Sequence, residues 1–196
     1  MAGAARMVAD RGTMVDFRRG TMNEVDLKVV TAAEARALRG ALAQILIACV
    51  EGGASVSFMA PLDRGKAASF WESAADSVDR GERLLIAAIE RDSGTPVGTV
   101  QVLLNQPENQ PHRADLAKML VHPAARHRGI GARLLRFAED AARSAGKTLV
   151  VLDTATGGDA ERLYERSGWV RVGVIPDYAL FPDGRLSATT IFYKRL

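Results

Sequence analysis

Apolar residues recur along this chain with two periods, and the switches between them mark the elements. Val25 to Val30 alternates Val, Leu and Val and predicts a first strand. Thr31-Ala-Ala-Glu34 has the capping-box spacing, and Leu38, Leu42, Ile45, Leu46 and Cys49 then fall on one helical face until Gly52-Gly53. A loop of small and apolar residues runs from Gly53 to Pro61. Pro61 is expected to open a second helix carrying Phe70, Trp71 and Val78, which stops before Gly81. Arg83 to Glu90 and Val97 to Leu104 flank a Gly- and Pro-containing turn and predict a hairpin. After a polar loop, Leu116 to Val121 is apolar and strand-like, and His122-Pro123 stops it.

From there the period becomes helical. Ile130, Leu134, Phe137, Ala138, Ala141 and Ala145 share one face. Thr148 to Asp153 is a continuous β-branched and apolar run, read as a strand covered on both sides. Asp159 is expected to cap a short helix that Gly168 ends. Trp169 to Ile175 and Ser187 to Lys194 complete seven strands, the last two joined through the turn Pro182-Asp-Gly184. Seven strands interleaved with about four helices, without repeats or an interdomain linker, predict one α/β (α+β) domain. Its sheet is mixed, mostly antiparallel and seven-stranded. The domain is placed at residues 23–196, behind a flexible extension over 1–22.

Composition narrows the class. The chain has 196 residues and a net charge of +3, of which +2 lies before Thr21 (four Arg against two Asp). The near-neutral body argues against a nucleic-acid face. The first two dozen residues lack a secretory apolar core, and no run reaches membrane-spanning length. A lone cysteine, Cys49, suits a reducing cytoplasm and lies on an apolar helical face, so it is read as core. His112, His122 and His127 have no metal-ligand spacing, and no metal site is assigned.

The candidate chemistry gathers around Arg126-His-Arg-Gly129-Ile-Gly131, between a strand and a helix start. The first amides of a helix lack intrahelical acceptors and carry the positive end of its dipole, so they suit phosphate. Glycines let the backbone come close. Two glycines before a helix also fit simple packing. The Gly-Lys-Ser/Thr of an ATP-type loop and the third glycine of a dinucleotide fold are both missing.

The pattern Arg126-x-x-Gly129-x-Gly131 after Val121-His-Pro123 resembles the pyrophosphate-binding motif of the GCN5-related N-acetyltransferases. Ala160-Glu-Arg-Leu-Tyr164 to Trp169 resembles that family's late helix and strand. The likeness covers about Val25 to Leu196. Four stretches, GGASVSFMAPLD, RADLAKMLVHPAARHRGIG, VLDTATGGDAERLY and PDGRLSATTIFYKRL, are similar to the tabtoxin-resistance acetyltransferases.

The resemblance implies acetyl-coenzyme A as cosubstrate and direct transfer of its acetyl group to a primary amine. The acceptor would be amino-acid-like or an antibiotic or toxin, so the implied role is antibiotic resistance. Protein lysine or N-terminal acetylation is a second implied activity, and a non-catalytic acetyl-coenzyme A sensor a third. The implied assembly is a monomer or homodimer, without nucleic acid or membrane.

It also implies residue roles. Arg126, His127, Arg128, Gly129, Gly131 and Ala132 would form the pyrophosphate loop. The amides of Met119 and Val121 would bind the pantetheine arm, with Met119 facing the thioester oxygen. Tyr164 would stand near the coenzyme sulfur as general acid. Asp153 and Asp115 match acidic residues of the tabtoxin-type enzymes and would serve catalysis and acceptor binding.

Read from the residues alone, Asp153 is either a turn aspartate or a carboxylate whose pKa the apolar strand raises towards that of a base. Asp115 is either a solvated partner of Arg113 or a second acid, and Tyr164 either core or site. The arginines of the loop are either solvated or add charge to it. The acceptor would meet the loop Gly53 to Pro61 and the turn Tyr178 to Gly184, where Phe58, Met59, Trp71 and Tyr178 either line a pocket or pack as core. Gly157 stands where many family members carry an asparagine that contacts the pantetheine arm.

Overall fold

In the computed structural model, residues 24–196 are described. The extension expected over 1–22 lies outside them. The elements follow in the order β1 (Val25–Val30), α1 (Ala32–Glu51), α2 (Arg64–Asp79), β2 (Arg83–Glu90), β3 (Pro96–Leu103), β4 (Arg113–Val121), a 3-10 turn (Pro123–Ala125), α3 (Ile130–Ser144), β5 (Leu149–Ala155), α4 (Asp159–Arg166), β6 (Val170–Leu180) and β7 (Leu186–Arg195). The seven strands form one sheet in the order β1-β2-β3-β4-β5-β7-β6. All neighbours are antiparallel except β4 and β5, which α3 connects as a parallel crossover.

Two hydrophobic clusters sandwich the sheet. Leu42, Ile45 and Leu46 of α1 and Trp71 of α2 pack on Leu85 and Ala87 of β2. Leu134, Leu135 and Ala138 of α3 pack on Ile86, Val100 and Val102, and the same cluster takes in Leu152, Tyr164, Trp169 and Phe192. Burial of four successive residues in β2, Leu85 to Ala88, reflects cover on both faces. The capping box forms as its spacing predicts: Thr31 Oγ1 accepts from the Glu34 amide, and Glu34 accepts from the Thr31 amide.

Several boundaries differ from the sequence reading, and three of them have a local cause. Pro61 does not open α2. That helix begins at Arg64, where Asp63 accepts from the Lys66 amide as N-cap, so the capping carboxylate rather than the proline sets the start. Asp159 is not the cap of α4; Gly158 is, and Asp159 sits one residue inside, bonded to Arg162. β6 runs past Ile175 to Leu180. Pro176 fits within it because β6 is the outermost strand, where a missing amide costs no ladder bond, and the register shifts between Ile175 and Ala179.

The feature that positions the site is the geometry of β4. Its pairing with β5 covers three positions: Arg113 with Leu149, Ala114 with Val150, and Asp115 with Val151. Beyond them both strands continue, to Val121 and Ala155, without pairing to each other. On its other side β4 pairs Leu120 with Thr99 and Ala117 with Gln101, so Lys118 and Met119 together stand opposite Val100. This bulge puts Lys118 at φ 49, a left-handed conformation rare for a lysine.

Candidate active site

The loop after β4 starts with His122, whose Nδ1 accepts from the Ala124 amide and holds the 3-10 turn. His127 and Gly129 both take positive φ, at 62 and 72, and Gly129 is the N-cap of α3 without any side-chain cap. The first backbone bond of α3 runs from the Arg133 amide to Gly129. Among the described residues, the amides of His127, Gly129, Ile130, Gly131 and Ala132 find no acceptor within the protein. Five donors at the positive end of a 15-residue helix form a ready anion cradle.

The two glycines of the loop do different work. A Cβ on Gly129 would meet open space, so there the backbone angle alone asks for glycine. A Cβ on Gly131 would lie 3.3 Å from Leu163 Cδ2, so that glycine lets α4 pack close to the head of α3.

The arginines also separate. Arg128 is not solvated: it donates to Glu90 on β2 at 2.9 Å. Arg126 is exposed, and its Nε lies 3.4 Å from the Val121 carbonyl. His127 and Arg126 are close enough to α4 to help lower the pKa of Asp159, after the larger effect of the Arg162 hydrogen bond. The loop therefore lies beside the N-terminus of α4.

One side of the opening between β4 and β5 is the free edge of β4. The His122 amide donates to Val97 on β3 at 2.8 Å, so by strand alternation the Val121 amide points the other way, into the opening from β5. The Val121 carbonyl lies outside the ladder too, accepting from the Cys49 thiol at 3.5 Å and from Arg126. Met119, two residues earlier, lies beside the bulge and packs partly buried on the α3 cluster. Cys49 is core, as expected, and burial raises its thiol pKa.

Across the opening stand the other candidates. Tyr164 is 4% exposed, its ring tilted against Trp169 and Phe192 at 5.8 and 5.9 Å. Burial first, and the Asp153 charge second, raise its pKa, so the phenol stays protonated at neutral pH. Its hydroxyl makes no hydrogen bond among the described residues. Tyr164 is thus core by its ring while its proton remains available.

Asp153 contradicts one expectation. It is exposed rather than desolvated, because β5 presents its apolar Val150 and Leu152 to the α3 cluster and turns Asp153 to the opposite face. Thr189 Oγ1 lies 3.3 Å from its Oδ2. Asp115, on the paired stretch of β4, has both oxygens engaged: Arg113 donates to one at 2.6 Å and Gln106 to the other at 3.1 Å.

The two predicted acceptor segments come together. Ser55 Oγ donates to the Leu180 carbonyl at 2.9 Å, and the Ala60 amide to Pro182 at 3.1 Å. Phe58 packs edge-on against Phe70 at 5.4 Å, whereas Met59 and Tyr178 are exposed. Trp71 is wholly buried core and lines nothing. Gly157 takes φ +84, a glycine conformation, and its amide donates to Glu161. Among the described residues no three His, Cys, Asp or Glu side chains gather as metal ligands, and no helix is long and apolar enough to cross a membrane.

Lys118 was missed in the sequence, although it is the single charge inside the apolar run Leu116 to Val121. Its ammonium donates to Ser57 Oγ at 3.0 Å and lies 5.9 Å from the centre of the Phe70 ring. Burial lowers its pKa, Asp153 raises it, and Arg83 lowers it again. These charges therefore share one space on the α1–α2 face of the sheet.

Comparison with known proteins agrees with this geometry. An acetyltransferase from Salmonella typhimurium, solved with its cofactor acetyl-CoA, superposes with a TM-score of 0.70 at 19% identity, covering 88% of this chain and 94% of that one. A ribosomal-protein-alanine N-acetyltransferase from Brucella melitensis gives 0.69 at 23% identity, covering 87% and 99%. A phosphinothricin acetyltransferase from Sinorhizobium meliloti, in complex with acetyl-CoA, gives 0.69 at 16% identity and covers 88% of both chains. Residues 55–169, more than half of the sequence, match the acetyltransferase (GNAT) family. The chain is an acyltransferase and belongs to that family.

Proposed function

We propose that this protein transfers the acetyl group of acetyl-coenzyme A directly to a primary amine of a small molecule, amino-acid-like or antibiotic in type. The observation that carries this reading is the set of unpaired amides between His127 and Ala132 at the head of α3, opening onto the ends of β4 and β5 that do not pair with each other. Those amides would hold the diphosphate, and Gly129 keeps their loop free of side-chain bulk. The outward amides of Val121 and Met119 would hold the pantetheine arm as a pseudo-strand. Bound there, the coenzyme supplies an acetyl group already activated as a thioester.

The chain then has protons to manage. An alkyl ammonium has a pKa of about 10, so a proton must leave before the nitrogen can attack. Asp153 is the free carboxylate on the acceptor side and takes that proton, directly or through water. The Met119 amide faces the position where the acyl oxygen gathers charge. Tyr164 holds a proton at its unbonded hydroxyl for the departing sulfur. Asp115 is committed to Arg113 and Gln106, and we give it the job of fixing the closed end of the strand pair rather than moving a proton.

A second acceptor class, a protein N-terminus, is suggested by the Brucella melitensis neighbour. The tie between the 53–61 loop and the β6–β7 hairpin walls the acceptor side, and the cations there do not make an acidic peptide groove. Both features favour the small molecule.

The test is coenzyme A release measured over a panel of small amines and short peptides. A small amine should be the best substrate, and Asp153→Asn and Tyr164→Phe should slow its turnover while acetyl-coenzyme A binding is kept. Full activity in both variants would overturn the assignment of roles.

A further inference from the structure

On the acceptor side two cations stand without a carboxylate partner. Lys118 bonds only to the Ser57 hydroxyl, and Arg83 Nη1 only to Gln101 Oε1, at 2.6 Å. Among the described residues neither makes an ion pair, although 14 such pairs form elsewhere. The carboxylate next to Arg83 in sequence, Glu82, is already held by Arg80 and Ser77. Gln101 is 1% exposed, and once its oxygen accepts from Arg83 its Nε2 is left with no acceptor. Arg83 Nε is unpartnered as well.

These groups occupy neighbouring positions on three adjacent strands. Gln101 pairs with Leu85, two residues from Arg83, on one side and with Ala117, next to Lys118, on the other. Strand parity puts Arg83, Gln101 and Asp153 on the face that α1 and α2 cover, away from the α3 cluster. A buried donor left unmatched is costly, and together with two half-buried cations it favours an anion that comes with the ligand.

The bulge explains how Lys118 gets there. In regular pleat the residue after Ala117 would turn towards α3. At φ 49 it instead reaches Ser57, which is itself at φ 74, and the two meet at 3.0 Å. Two non-glycine residues in the left-handed region hold one ammonium against the acceptor loop.

We propose that the acceptor carries an acidic group as well as its amine, and that Lys118, with Arg83 and the Gln101 amide behind it, receives that acid while Asp153 faces the amine. The ligand class is a zwitterion such as an amino acid. Lys118 is a specificity-determining residue, and this role rests on the small-molecule reading above. The placement suits the charges: Lys118 on β4 offers a cation to the carboxylate, and Asp153 on β5 offers a carboxylate to the ammonium.

The experiment is a set of matched acceptors, each an amino acid compared with its methyl ester and with the amine lacking the carboxyl group. It is run on the wild-type protein, Lys118→Met, Lys118→Arg and Arg83→Met. The wild type should prefer the acid about 10- to 100-fold in kcat/KM, the range expected of a charge-assisted hydrogen bond. Lys118→Met should erase the preference mainly through KM and leave the neutral acceptors within about threefold. Lys118→Arg should restore part of it, and Arg83→Met should weaken it less. Thermal stabilisation by acetyl-coenzyme A reports that each variant is folded, and the wild-type comparison needs no variant.

Equal use of acid and neutral acceptors by the wild type would overturn this inference and leave the small-molecule reading standing. So would an equal loss on both acceptor types in Lys118→Met. Release of coenzyme A with peptides alone would overturn both.

Discussion

The two ends of the β4–β5 pair are made of the same strands and behave in opposite ways. At the start, three residues on each side pair in parallel, and Asp115 is clamped between Arg113 and Gln106. At the far end the two strands no longer pair with each other, Lys118 is thrown out by a bulge, and Asp153 is exposed. One acidic residue has both its oxygens engaged, and the other has little beyond a threonine hydroxyl. On the proposed mechanism the closed end sets the position and the open end does the chemistry. A carboxylate earns a catalytic reading from being free as well as from being nearby.

The largest effect should follow from changing the open end. Asp153→Asn is expected to lower kcat about 100- to 10,000-fold, the usual worth of a general base, with coenzyme affinity within about threefold. Steady-state kinetics with calorimetric coenzyme titration checks both halves. The matching change at the closed end, Asp115→Asn, should leave kcat within about threefold and cost about 1 kcal/mol of stability, since it weakens hydrogen bonds to a charged group that is part-exposed. A large kcat loss there would erase the distinction between the two ends.

The loop that lies beyond the open end should respond next. Gly129→Val forces a β-branched residue to φ 72, at roughly 1–2 kcal/mol. Because its surroundings are open, the cost should appear as an increase of about tenfold in the KM for acetyl-coenzyme A, with little overpacking. Gly131→Ala should instead loosen α4 against α3, since its Cβ would press on Leu163, and a fall in melting temperature would show it.

The smallest effect lies far from both ends. The Glu34 carboxyl is lowered to about 2 by its bond to Lys28 first and by the Thr31 amide second. Its folded pKa is below the ordinary carboxylate value of 4.5, so its stabilising share is fully present above that pH and is lost as pH falls towards about 2. Glu34→Gln should flatten the acid limb of the stability curve in that window and leave the activity profile near neutrality unchanged. Denaturant melts at several pH values test it.

Much of the fold could be read from periodicity because the strong signals are local. The capping box at Thr31, the amphipathic face of α3 and the apolar run of β5 each express a contact made within a turn or across one face. Pro61 misled because proline constrains its own residue but says little about what a neighbour supplies, here the Asp63 cap. The exposure of Asp153 was hidden because an apolar run looks the same whether one face or both are covered. Lys118 was hidden because a bulge is a mismatch between two strands, and a single strand's sequence does not display its partner's register. The separation of Arg126 from Arg128 depends on Glu90, 38 residues away from Arg128.

The central claim is that free amides at the head of α3 grip the coenzyme's diphosphate. Amide proton NMR of the labelled protein, titrated with acetyl-coenzyme A, tests it most directly. The account predicts the largest downfield shifts at Gly129, Ile130, Gly131 and Ala132, with Val121 following. Unmoved signals at those residues in a saturated complex, with the changes gathered on another surface, would contradict it.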